Sequence, residues 1–90
     1  PVDVRATVAA YADAAGNLET SDEAAVMIAL QQLETARVAL NAELQRQLEN
    51  GSENVITSID EMIEAGEIKA ELVTPLRQTL EETAAFASFK

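Results

Sequence analysis

The sequence contains no cysteine and no histidine. Without cysteine there are no disulfides, thiol nucleophiles or thiolate metal sites, a composition compatible with a reducing compartment. Without histidine the commonest general base, the usual pH switch and the commonest metal ligand are missing together. Positive charge is also scarce: six lysines and arginines oppose sixteen acids, for a net charge of −10. The few bases form no cluster that would neutralise phosphates, so direct nucleic-acid binding is not expected, nor is attachment to an anionic membrane. Apolar runs are only a few residues long, too short for a membrane span, and Pro1-Val2-Asp3-Val4 lacks the basic and apolar regions of a signal peptide. The Pro1 start fits a removed initiator methionine, and the expected location is the cytoplasm or a particle assembled there, such as a virion.

Glycine and proline are rare, at three and two residues, whereas alanine supplies 17, a balance that favours helix over a disordered chain. Ninety residues make a single helical domain, 1–90, with a modest core; oligomerisation is the usual remedy for the small stability margin.

The spacing predicts an all-α fold, a small helical bundle of three main helices plus a short one around a long central helix at about residues 21–50. In the first segment Val4, Val8, Tyr11 and Ala15 share a stripe, Asp3 caps the start, and Gly16-Asn17 suits a left-handed stop. Thr20 and Glu23 read as the capping box of the long helix, with Asp22 and Glu23 favourably placed in its first turn. From there the pattern runs unbroken to Asn50-Gly51, about 45 Å at 1.5 Å per residue. A compact domain of this size is about 30 Å across, so the end near Leu44 to Asn50 is expected to project. Ser52 reads as the cap of a third helix carrying Val55, Ile56, Ile59, Met62 and Ile63, ended by Gly66. After a turn through Ile68 and Leu72, Thr74-Pro75 reads as N-cap and first position of a fourth helix with Leu76, Leu80, Thr83 and Ala87 inward.

Three features bear on function. Val26, Leu30, Leu33, Leu40, Leu44 and Leu48 define one apolar face of the long helix at nearly heptad spacing, with Arg37 in its middle. Either Arg37 meets a carboxylate of a second chain or of the third helix, or its stem lies along the leucines while the guanidinium reaches water. The opposite side of the helix, with Ala24, Ile28, Thr35, Val38, Ala39 and Ala42, is also weakly polar, and a helix apolar on two sides needs cover on both. The first helix is too short to cover that side along its whole length, which favours a dimer or larger assembly; the alternative is a monomer whose first helix lies on that alanine-rich strip. The third segment carries Glu53, Asp60, Glu61, Glu64 and Glu67 with no base. This row is either a solvated face or a surface that docks a basic site in the manner of a row of phosphates. Finally, Phe86 and Phe89 are two of only three aromatics, either anchors for another molecule or cover for the bundle end.

No nucleophile elbow, phosphate loop, dinucleotide fingerprint, calcium loop or di-iron motif occurs, so neither catalysis nor a cofactor or bound metal is expected. The expected role is a non-catalytic structural or adaptor subunit working through helix-mediated protein contacts with copies of itself or another protein. Its acidic, alanine-rich character suits a bacterial or phage accessory protein. The alternative is an acidic inhibitor that occludes a basic nucleic-acid-binding surface with its third helix.

Overall fold

The structure, a computed structural model, describes residues 2–87. They form an all-α bundle of four helices: α1, Val4–Gly16; α2, Glu23–Glu49; α3, Val55–Glu64; and α4, Ala70–Ala87. α2 is unbroken over 27 residues, about 40 Å of rise, and runs along the longest dimension of the molecule, 44 Å. The shortest helix is α3, at 10 residues, rather than the first.

The helix ends follow local hydrogen-bond chemistry. At α1 the Asp3 carboxylate accepts from the Ala6 N–H at 3.1 Å, as the sequence suggests. At α2 the cap is Asp22, whose carboxylate accepts from the Ala24 and Ala25 N–H groups; Thr20 instead accepts from the Asp22 N–H, one step outside the helix. A carboxylate at the N-cap adds a full negative charge to the capping bond, so it displaces the hydroxyl expected there.

Both α2 and α3 close with a Schellman turn. Gly51 has φ 76°, the Ser52 N–H reaches the Gln47 carbonyl at 2.9 Å, and the Gly51 N–H reaches Leu48. Gly66 repeats the geometry with φ 77° and a Glu67 N–H to Met62 carbonyl bond of 2.9 Å. Ser52 is thus consumed in ending α2, and α3 starts three residues beyond it, where Glu53 Oε1 accepts from the Ile56 N–H at 2.6 Å. Gly16, expected as a left-handed stop, lies within α1 and keeps a negative φ.

α4 begins five residues before the expected Pro75 start, so Pro75 sits inside it. The ring denies the Glu71 carbonyl its usual donor, but both residues are exposed and water can supply one. The Thr74 and Thr79 hydroxyls bond back to the Ala70 and Pro75 carbonyls.

One core joins all four helices: Val8 and Tyr11 from α1, Leu40 and Leu44 from α2, Val55, Ile59 and Met62 from α3, and Val73, Leu76 and Leu80 from α4. It is gathered around the C-terminal half of α2, which corrects the expectation that residues 44–50 project. α3 and α4 fold back over that half, leaving Leu44 fully buried and Gln47 nearly so. The overhang is at the other end. α1 spans only about 20 Å, so it cannot cover the first turns of α2 on more than one side.

Candidate functional site

Among the described residues, six large apolar side chains are exposed, and three of them lie in the first half of α2; Val38, in the second half of the helix, is another, at 51%. Met27 is 64% exposed, Ile28 57% and Leu30 52%, with Leu18 of the preceding loop beside them in sequence. At about 100° per residue, Leu30, Met27 and Ile28 span roughly 160° of the helix circumference. Val26 and Leu33 flank them half-buried, and Leu33 already packs against the core. On the α1 side, Ala12, Ala14, Ala29 and Ala36 are buried, and these small side chains permit a close helix approach. Beside that contact runs an open groove lined by Ala6, Ala10, Asp13, Ile28, Thr35 and Ala39, among others.

The predicted apolar face therefore divides. Leu40 and Leu44 are fully buried within the chain and are core positions, not interface positions, because α3 and α4 cover them. Leu48 is half-buried and packs on the same core. Val26 and Leu30 lie beyond that cover, and Leu33 sits at its edge, partly buried against the core. Arg37 marks the boundary, and within the chain its carboxylate comes from its own helix rather than the third: Nε donates to Glu34 Oε2 at 3.0 Å. This bond lowers the Glu34 carboxyl and raises the Arg37 guanidinium. Burial raises the Tyr11 phenol, partly offset by the Arg37 charge. Phe86 stands 74% exposed at the opposite end, beside a cleft formed with Gln45, Leu48 and Glu49, so it does not cover the bundle end. Phe89 lies outside the described residues.

The acidic row of the third segment is not continuous. α3 ends at Glu64, and Glu67 follows the left-handed Gly66 turn, which brings it to Arg5 Nη2 at 2.8 Å. Glu61 also meets Arg5, at 3.5 Å. Asp60 accepts both Nε and Nη2 of Arg77, which lowers its pKa; Arg77 reaches Glu81 as well. Glu53 is engaged in starting its own helix and also accepts from the Thr57 hydroxyl. Of the five acids, Glu64 alone makes no ion pair or side-chain hydrogen bond among the described residues. The four arginines are likewise all paired with carboxylates.

A polar cluster that the periodicity did not reveal sits under the turn between α2 and α3. Glu43 and Gln47 are buried on the inner side of α2. Gln47 Nε2 donates to Glu43 Oε2 at 2.9 Å and to Asn54 Oδ1 at 2.7 Å, while its Oε1 accepts from the Asn54 N–H at 2.7 Å. Hydrogen bonds from Arg46 first, and then from Gln47, hold the Glu43 carboxyl at about 2. The resolved carboxylate shifts, at Glu34, Glu43 and Asp60, are all downward, the direction opposite to that of a general acid working near neutrality.

No protein-family model, curated protein or solved structure matches this chain. Among the described residues, no helix is long and apolar enough to cross a membrane.

Proposed function

We propose that the chain is a non-catalytic structural or adaptor subunit, cytoplasmic or carried in an assembled particle, whose working surface is the N-terminal half of α2. This surface packs helix to helix against another protein chain. The observation that carries the reading is the exposure of Met27, Ile28 and Leu30 on a helix whose other half supplies Leu40 and Leu44 to the core of the same molecule. One rod thus serves two purposes: its second half organises the fold, and its first half presents apolar side chains where a lone domain would carry charge.

Sedimentation velocity over a range of protein and salt concentrations tests this. Copies of charge −10 repel, so apolar self-association is expected to strengthen as salt rises. Docking of α3 on a basic surface would weaken with salt, and the internal pairing of Asp60, Glu61 and Glu67 gives that reading little to work with. Met27→Asp and Leu30→Asp are expected to reduce association while leaving the helical circular-dichroism spectrum unchanged. If both variants unfold the protein and the wild type never associates, the exposed segment belongs to the fold and the proposal fails.

A further inference from the structure

The exposed stripe on the first half of α2 has a symmetry of its own. Glu23 and Arg37 stand seven residues to either side of Leu30, two helical turns and about 10 Å each way, and fall within about 20° of it around the helix. Met27 and Leu33 stand three residues to either side. An acid and a base equidistant from a central apolar residue on one face suit an isologous contact, in which residue i meets residue j of a second copy and j meets i; Glu34, about 40° from Leu30 on the same face and 63% exposed, would stand against Val26 of the other copy.

We propose that the occupant of this face is a second copy of the chain, packed antiparallel with the two-fold axis at Leu30. Leu30 meets Leu30 of the other copy, Met27 meets Leu33, and Glu23 of each copy pairs with Arg37 of the other. This rests on the reading of the N-terminal half of α2 as a docking surface, and adds the partner and the register.

Charge complementarity supports it. The side chain of Glu23 makes no ion pair or hydrogen bond among the described residues, whereas Arg37 is held by one hydrogen-bonded carboxylate of its own helix, Glu34, with 36% of its side chain exposed. The guanidinium offers five donors and can accept a second carboxylate. A parallel pairing would instead set Glu23 against Glu23 and Arg37 against Arg37, two repulsive contacts in place of two attractive ones. The area also fits. The stripe of Val26, Met27, Leu30 and Leu33, with the stems of Glu23, Glu34 and Arg37, is short, the size of a weak, reversible contact of below about 1,200 Å² in total rather than of an obligate interface. That size makes a reversible dimer of complete monomers, consistent with a core that closes within one chain.

The absence of cysteine lets disulfide trapping read the register directly. Three single variants, Leu30→Cys, Glu23→Cys and Arg37→Cys, alter only residues outside the core. In the antiparallel pair, oxidised Leu30→Cys is expected to cross-link with itself, because a disulfide requires Cα atoms about 4.4–6.8 Å apart. Glu23→Cys mixed with Arg37→Cys is expected to give the mixed dimer in large excess over either self-linked product. Self-linking of Glu23→Cys in preference to the mixed product overturns the antiparallel register while leaving the docking surface standing. Wild-type protein that sediments as a monomer up to about 1 mM, with no cross-linking of Leu30→Cys above that of a cysteine placed at exposed Gln78, overturns the second copy as occupant. An association that Leu30→Asp does not weaken overturns the surface itself, and the two failures are thereby distinguished.

Discussion

Leu30 and Leu40 are the same residue type on the same helix, ten positions apart, and the structure assigns them opposite duties. Leu40 is fully buried among all four helices, whereas Leu30 is 52% exposed. Truncating Leu40 to alanine removes its transfer energy and leaves a cavity, a combined cost of about 3–5 kcal/mol. A domain of this length has a total stability of roughly 5–13 kcal/mol, so the variant loses a large share of it. With a urea slope of about 1–1.5 kcal/mol per molar, the midpoint falls by roughly 2–5 M. Leu30→Ala has half of its side chain in water already and no enclosed space to empty, and alanine is the better helix former. Its cost is expected to stay below about 1 kcal/mol. Both are measured by urea unfolding followed by circular dichroism at a few micromolar, dilute enough to hold the protein monomeric. A Leu30→Ala loss as large as that of Leu40→Ala under those conditions would refute the reasoning, since it would mean that the first half of α2 is covered within a single chain.

Glu43 gives a pH dependence. Its folded pKa, about 2, lies below the usual 4.5, so its contribution to stability is complete above about pH 4.5 and is lost as pH falls toward 2. Glu43→Gln is therefore expected to lower stability at pH 7 and to flatten its decline between pH 4.5 and 2; an acid limb as steep as that of the wild type would count against the assignment. Among the glycines, Gly66→Ala places a Cβ in the left-handed region and is expected to cost about 1 kcal/mol, although no neighbour obstructs the methyl. Gly16→Ala, in helical backbone with open space around it, is expected to gain a few tenths to about 1 kcal/mol in thermal or urea unfolding. Arg77 bridges Asp60 on α3 to Glu81 on its own helix, with all three side chains at least a third exposed. Arg77→Met is expected to cost no more than about 1 kcal/mol, less in 0.5 M salt, where a salt-independent loss would indicate packing of its stem instead.

The long rod was legible in the sequence because its apolar pattern has no interruption and its last turn meets Gly51, one of two glycines that take the left-handed conformation. The inward residues of α3 and α4, Val55, Ile59, Leu76 and Leu80, followed from periodicity in the same way. Boundaries were less legible where two residues competed for one role. Asp22 outcompeted Thr20 as a cap, and Ser52 was taken up by the preceding turn. The direction of the overhang was not legible at all, since leucines recur along the whole face and only the return of α3 and α4 decides which are covered. Met27 and Ile28 belong to the candidate surface although neither lies on the heptad stripe. Ile28 was legible as part of the helix's second weakly polar side, whereas the signal for Met27 was the consecutive apolar run Val26-Met27-Ile28, which wraps a helix where a stripe would follow one side. The inward placement of Glu43 and Gln47 ran against their polarity; the approach of Asn54 to Gln47, and the bonds from Arg46 and Gln47 to Glu43, explain it.

Because one end of α2 is enclosed by the other helices and the other is covered on its α1 side alone, a single hydrogen-bonded ladder is expected to carry two timescales. Backbone amides near residues 40–48 are expected to exchange with deuterated solvent only when the whole molecule opens. Those near 26–30 are expected to open by local fraying and exchange faster. Contact with another chain would close that gap, so the exchange rate at the free end becomes a gauge of occupancy, slowing with concentration while the locked end keeps its pace.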